Sequence, residues 1–301
     1  MLMRGFGRGT IAAEPVVPAR LWQTMTMPRH DSTLPRAVDE IENAWITMSD
    51  GCRLAARLWL PADAGSVPVP AILEYIPYRK RDFMRRRDEG MHRWFAGHGY
   101  AAVRVDMRGS GESDGVMHDE YLPQEQDDAL EVIDWIARQP WCSGRVGMMG
   151  KSWGAYNSLQ VAARRPAALK AIIAVMGTDD RYAECIHYSG GCLLNDNFWW
   201  GCIMQVFNAR PPDPEIVGER WREMWLERLE VERFWPQIWL NHQTLDEYWK
   251  RSANNCLSPT MHLRADQLKR RSECRHRPAS SDIVLAQLVS ETWADQERLI
   301  L

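Results

Sequence analysis

The chain has 301 residues, 45% apolar and 26% charged, with 20 Gly and 17 Pro; this excludes collagen-like and disordered chains and allows a sizeable core. Its 37 Lys and Arg against 40 Asp and Glu leave a formal charge of −3. No global field draws it to nucleic acid or an anionic membrane, so the expected partner is a small uncharged molecule, with the oligomeric state left open.

Residues 1–36 carry Arg4, Arg8, Arg20, Arg29 and Arg36 with few acids and no apolar segment long enough for a secretory signal, and read as a flexible extension. Trp45–Met48 and Arg53–Leu60 flank Ser49-Asp50-Gly51-Cys52, the pattern of a hairpin with an Asp-Gly turn. Four short apolar runs follow, at Ala71–Ile76, Ala101–Val105, Arg145–Met149 and Ala171–Met176, each bounded by Gly, Pro or Asp. They predict buried parallel strands. Helical periodicity separates them over Arg86–His98, Gln126–Arg138 and Ala155–Arg164, so residues 37–177 predict an α/β core.

From residue 178 to 250 the strand signal fades. Of the 15 Trp, seven (Trp199, Trp200, Trp221, Trp225, Trp235, Trp239 and Trp249) fall here, two pairs of them at i, i+4. The segment reads as an inserted helical cap, although any single Trp of such a stripe is more often simple packing. Residues 251–301 change texture: Arg251–Arg277 is polar and basic without periodicity and reads as loop or disorder. Only Ile283–Val289 restarts a strand or short helix. The longest notable apolar run, Ala171–Met176, falls far short of the ~18 residues of a membrane span. Cys52, Cys142, Cys185, Cys192, Cys202, Cys256 and Cys274 are odd in number and lack a CxxC pair, which predicts reduced thiols in a cytoplasmic protein.

Chemistry concentrates at Gly150-Lys151-Ser152-Trp153-Gly154, a G-x-S-x-G sequence between a predicted strand and helix. A nucleophilic serine on such a bend needs glycine neighbours so that the backbones can pass, and the Trp153 N–H at the helix start then faces a developing oxyanion. Gly111-Glu112-Ser113-Asp114-Gly115 also fits the pattern, but two carboxylates flank Ser113 and Pro123 precedes the next helical pattern, so Ser152 is preferred. Asp106-Met107-Arg108-Gly109-Ser110-Gly111 lacks the third glycine of a dinucleotide fingerprint and reads as a glycine turn. The basic runs Arg79-Lys80-Arg81 and Arg85-Arg86-Arg87 are read as a solvated helix face in preference to a nucleic-acid patch. Cys256, His262, Cys274 and His276 have none of the zinc spacings, so neither metal nor other cofactor is expected.

Three stretches, Pro70–Arg79, Val105–Ser113 and Gly150–Gly154, stand in the order and at the distances of one family. Together they resemble the CocE/NonD hydrolases, the cocaine esterase and X-prolyl dipeptidyl-peptidase group, over about residues 39–250. The resemblance implies an α/β-hydrolase core with a helical cap and serine-dependent acyl transfer from an ester or amide. By it Ser152 is the nucleophile, and the Tyr78 hydroxyl joins the Trp153 N–H at the oxyanion. It further implies an acid in a Gly-Trp-x-Asp-type turn and a histidine, which no segment after Ser252 reproduces. Asp179, Asp180 and Asp295 are weak candidates for the acid. His187 and His242, read as polar helix residues of the cap, are weak candidates for the base. His262 and His276 are the other histidines after the nucleophile. The expectation is a hydrolase scaffold impaired by loss of the triad acid and base, its core altered after residue 251 by truncation or frame-shift. The alternative is a non-catalytic small-molecule-binding protein on that scaffold.

Overall fold

A turn at Asp50-Gly51, with Gly51 at φ +86°, joins the first two strands. The computed structural model describes residues 33–252, apart from residue 179, together with 284–288. Strands β1 (Val38–Thr47) and β2 (Arg53–Pro61) form the expected antiparallel hairpin, pairing Thr47 with Arg53. β1 is longer than the apolar signal of Trp45–Met48. Its first half is exposed edge strand carrying Asp39, Glu40 and Glu42, charges that blunt an edge without leaving an apolar pattern.

The α/β alternation follows as β3 (Val69–Ile76), α1 (Arg85–Gly97), β4 (Ala101–Asp106), α2 (Pro123–Ala137), β5 (Cys142–Lys151), α3 (Trp153–Ala163) and β6 (Leu169–Val175). α2 starts before the predicted Gln126 because Pro123 occupies its first turn, where a missing N–H costs nothing, and Glu125 closes a reciprocal cap on the Leu122 N–H. Two short strands, β7 (Tyr188–Ser189) and β8 (Cys192–Leu193), lead into the helices of the predicted cap. These are α4 (Asp196–Asn208), α5 (Pro214–Val217), α6 (Trp221–Val231), α7 (Trp235–Trp239) and α8 (Glu247–Ser252). A last strand, β9 (Val284–Leu288), pairs antiparallel with β6.

The main sheet has the order β1-β2-β4-β3-β5-β6-β9, parallel from β4 to β6 and antiparallel at both flanks. β4 is buried at all six positions, as expected of a central strand covered by helices on both faces. Leu73, Tyr75, Val103, Val105, Val146 and Met148 meet Val132, Ile133, Leu159 and Ala162 of α2 and α3 in one core.

The basic runs depart from expectation. Only Arg85, Arg86 and Arg87 lie on α1, and of the six basic residues Arg79 and Lys80 are buried and Arg86 is exposed. Lys80 bonds Glu112 at 2.6 Å with neither side chain more than 1% exposed. Arg79 donates to the carbonyls of Arg210 (3.2 Å) and Pro211 (2.6 Å), and Arg81 reaches Asp213 and Glu215 at 2.8 Å. Arg87 bonds Glu74 and Asp88. The cluster docks the segment between α4 and α5 on the end of β3, and while Asp82, Asp88 and Glu89 are neighbours in sequence, Glu112, Asp213 and Glu215 are remote. A local reading therefore misses the long-range partners, Lys80–Glu112 above all.

From the other side, Arg228 of α6 donates to the carbonyls of Gly111 (2.9 Å), Ser113 and Gly115 (3.4 Å), gripping the glycine loop after β4. Asp119 and Glu120 complete the attachment. Asp119 accepts from Trp239 Nε1 (3.0 Å) and Tyr248 OH (2.7 Å), and Glu120 accepts from Trp200 Nε1 (3.0 Å) and pairs with Arg181 and His187. Trp235, Trp239 and Trp249 are buried, whereas Trp199 is 62% exposed, so the stripe is mostly packing.

Candidate active site

The sheet order places the site. The chain leaves β3, crosses by α1 to β4 on one side, then returns by α2 to β5 on the other, so the crossovers diverge between β3 and β5. Such a switch point opens a crevice at the strands' carboxyl ends. Tyr78 lies two residues beyond β3 and Ser152 one beyond β5.

Ser152 sits on the expected bend, at φ 58°, ψ −120°, a conformation that a residue with a Cβ adopts only under constraint. Its N–H donates to Val175 O at 2.9 Å, extending the pairing with β6, and its carbonyl accepts the Ala155 N–H at 2.8 Å to open α3. The glycines are sterically required: a Cβ on Gly150 would collide with the Gly154 backbone, and one on Gly154 would lie 2.7 Å from Ile76.

Three groups converge here. The Tyr78 hydroxyl donates to Ser152 Oγ at 3.4 Å and accepts the Trp153 backbone N–H at 3.3 Å. Burial pushes the Tyr78 phenol up to about 12, so it is a neutral donor across the physiological range. Ser152 is half-buried and Trp153 fully buried. A substrate oxygen entering this crevice could receive both the phenolic O–H and the peptide N–H. Aromatic rings of the cap frame the site: Trp200 and Phe207 lie 6.1 and 6.0 Å from the Tyr78 ring, and Trp200 and Trp235 lie 6.2 and 6.1 Å from Trp153.

The competing Ser113 is structural. Buried, it donates to Asp106 O at 2.6 Å and accepts the Ala55 N–H at 2.9 Å, holding the glycine loop against β2. Gly109, Gly111 and Gly115 adopt φ of 78°, 52° and 84°, as the glycine-turn reading requires.

The weak acid and base candidates are occupied elsewhere. His187 is buried in the loop before β7, not on a helix, with Nδ1 2.6 Å from Asn197 Oδ1 and Nε2 2.6 Å from Glu120. Burial and the Arg181 charge push it down to about 3. His242 follows α7 in a turn, bonding Asp246 at 2.6 Å and stacking on Tyr248. Both were expected on cap helices; the Trp-rich pattern carries no signal for these turns. Asp180 accepts the N–H groups of Tyr182 and Ala183, shaping its own loop. Asp179, Asp295, His262 and His276 lie outside the described residues, as do Cys256 and Cys274. Among the described residues, no histidine or carboxylate hydrogen-bonds Ser152 Oγ.

One metal-like donor set occurs among the described residues: Glu74, Asp88 and His92, buried, with ligand atoms within 4.8 Å of one another. Arg87 bonds both carboxylates, and Arg104 Nε lies 3.3 Å from Asp88 and 3.7 Å from Glu74. The guanidiniums already neutralise the acids and would repel a cation, so the group is an ion-pair cluster.

Sequence reasoning missed Glu125, whose buried carboxyl oxygen Oε2 accepts the Trp153 indole N–H at 3.0 Å, and the Asp119–Glu120 pair under the cap. A signal for Glu125 existed, since Pro123 followed by Glu125 is a helix-start pattern; for Asp119 and Glu120 none did.

Comparison with known proteins agrees with this architecture. Residues 50–266 match the family described as X-Pro dipeptidyl-peptidase (S15 family). The chain is 35% identical over 182 residues to the cocaine esterase of Rhodococcus sp. (strain MB1 Bresler), covering 57% of this chain and 30% of that protein. Two similar solved structures are a CocE/NonD family hydrolase from Staphylococcus aureus (TM-score 0.55, 24% identity, 71% of this chain and 38% of that one) and an alpha-amino acid ester hydrolase (TM-score 0.53, 21% identity, 80% and 43%). At these identities the two structures speak to the fold. The chain spans less than a third of the length of the curated relatives it matches. With strand order, serine bend and family match in agreement, the chain belongs to the X-Pro dipeptidyl-peptidase (S15) family.

Proposed function

We propose that the chain carries the acyl-transfer site of a serine hydrolase acting on a small ester or amide. Ser152 Oγ attacks the carbonyl carbon, the alcohol or amine leaves as the acyl bond breaks and carries off the serine's proton, and water then hydrolyses the acyl-enzyme, releasing the acid and restoring the serine hydroxyl. The Tyr78 hydroxyl and the Trp153 N–H stabilise the tetrahedral oxyanion. The observation that carries this reading is the convergence of Tyr78 OH on both Ser152 Oγ and Trp153 N, at 3.4 and 3.3 Å, in the crevice between β3 and β5.

No imidazole among the described residues touches Oγ, and a serine without its base loses on the order of a million-fold in turnover. An oxyanion hole with substrate binding retains roughly 10³ to 10⁴ over water. Covalent capture by an activated fluorophosphonate needs a single attack by Oγ and accumulates over a long incubation, so it can be read where turnover is slow. The probe should label the wild-type chain at Ser152 and leave Ser152→Ala unlabelled; equal labelling of both, or of neither, refutes the reading. That no imidazole among the described residues touches Oγ supports a second reading, a non-catalytic binding protein. Small-molecule binding that persists in Ser152→Ala, with no turnover of any ester by the wild type, would favour it.

A further inference from the structure

We propose that Glu125 is a positioning residue for the oxyanion-binding pair, holding the Trp153 peptide N–H in place through the Trp153 indole; the inference rests on the acyl-transfer reading of Ser152. The bend at Ser152 is strained, and strained backbone persists only where its surroundings over-determine it. On the α3 side Trp153 is the first residue after the strain, and its indole provides the constraint. Nε1 donates to Glu125 Oε2 at 3.0 Å, while Glu125 Oε1 accepts the Leu122 N–H at 3.1 Å, tying the carboxyl to the start of α2. Carboxyl and indole are both buried, so the bond is shielded from water. The same indole lies between Tyr121 (4.9 Å), Trp200 (6.2 Å) and Trp235 (6.1 Å), which leaves the ring little room to swing. Glu125 thus fixes from behind the residue whose peptide N–H meets Tyr78 OH in front.

Glu125 touches neither substrate nor Ser152, so its loss should slow the chemical step without weakening encounter. The test measures phosphonylation of Ser152 by a fluorophosphonate, separating kinact from KI, in wild type, Glu125→Ala, Glu125→Gln, Trp153→Phe and the Glu125→Ala/Trp153→Phe double variant. Trp153→Phe removes the indole donor and keeps the peptide N–H. Each of Glu125→Ala and Trp153→Phe should lower kinact about tenfold, less than the 10² to 10³ of deleting an oxyanion donor outright, with KI unchanged. The double variant should be no slower than either single one, because both cut the same link. Glu125→Gln, whose amide oxygen can accept the indole N–H, should stay within about threefold of wild type.

Additive losses, or a fall confined to KI, overturn the inference. Should Glu125→Ala not fold, Trp153→Phe and Glu125→Gln decide: an unchanged kinact in the first, or a tenfold loss in the second, overturns it. A wild-type chain that does not react at Ser152 refutes the acyl-transfer reading itself. That outcome is distinct from a reactive wild type whose Glu125 variants react equally fast.

Discussion

Replacing Tyr78 by Phe removes one hydroxyl and leaves the ring between Trp200 and Phe207. In the resting site this hydroxyl makes two long bonds, 3.4 Å to Ser152 Oγ and 3.3 Å to the Trp153 N–H. Bonds of that length are weak, so folding stability should fall by about 1 kcal/mol or less, equivalent to roughly 2–4 °C in Tm for a protein of this size. In the tetrahedral state the loss is larger, because charge develops on the oxygen that Tyr78 faces and only the Trp153 N–H remains. Removal of one such donor costs about 10² to 10³ in rate, or roughly 2.7–4 kcal/mol at about 1.36 kcal/mol per decade. The effect should therefore appear almost wholly in kinact for phosphonylation, or in kcat for an activated ester, and hardly in Tm. Because burial pushes the phenol up to about 12, the wild-type to variant ratio should stay flat from pH 6 to 10. A ratio below about threefold, or a Tm drop well beyond that stated, would refute Tyr78 as an oxyanion donor.

Ser113→Ala should lower stability by roughly 1–3 kcal/mol, since it strands the Asp106 carbonyl and the Ala55 N–H, while phosphonate labelling stays at the wild-type level. Chemical denaturation and a labelling gel check both halves, and lost labelling would reverse the assignment of the two serine motifs. Burial raises the Glu125 carboxyl to about 8 from its ordinary 4.5, outweighing the indole and backbone donors. The native state then holds a proton that the unfolded chain has released, so this group's contribution is full below pH 4.5 and is lost as pH rises toward 8, with a slope of at most about 1.4 kcal/mol per pH unit. Glu125→Gln should remove that slope; parallel wild-type and variant curves of unfolding free energy against pH would show that the carboxyl is ionised in the fold. Arg228→Met deletes three bonds to the glycine loop and should raise hydrogen exchange in α6 while β3 stays protected, with protection in both unchanged as the contrary result.

Much of this protein is legible along the chain because its determinants are local. The Asp50-Gly51 turn, the buried runs that became β3 to β6 and Gly150 before Ser152 each depend on neighbours a few residues away, where periodicity and backbone sterics act. Gly150 illustrates this: the bend brings the Gly154 backbone against it and leaves no room for a Cβ, whereas at Gly154 the obstacle is Ile76 of β3, a tertiary contact. Tertiary structure alone decided the rest. Tyr78 and Ser152 are 74 residues apart and meet only because the sheet places β3 beside β5, a choice of crossover direction that no local pattern encodes. Arg79–Arg87 looked like a solvated basic face because charge is read along the chain, whereas a buried ion pair is defined by a partner across it, as with Lys80 and Glu112. The same holds for Glu125, an ordinary first-turn acid in sequence, which burial against Trp153 turns into a group with a raised proton affinity and a fixed bond behind the strained serine bend.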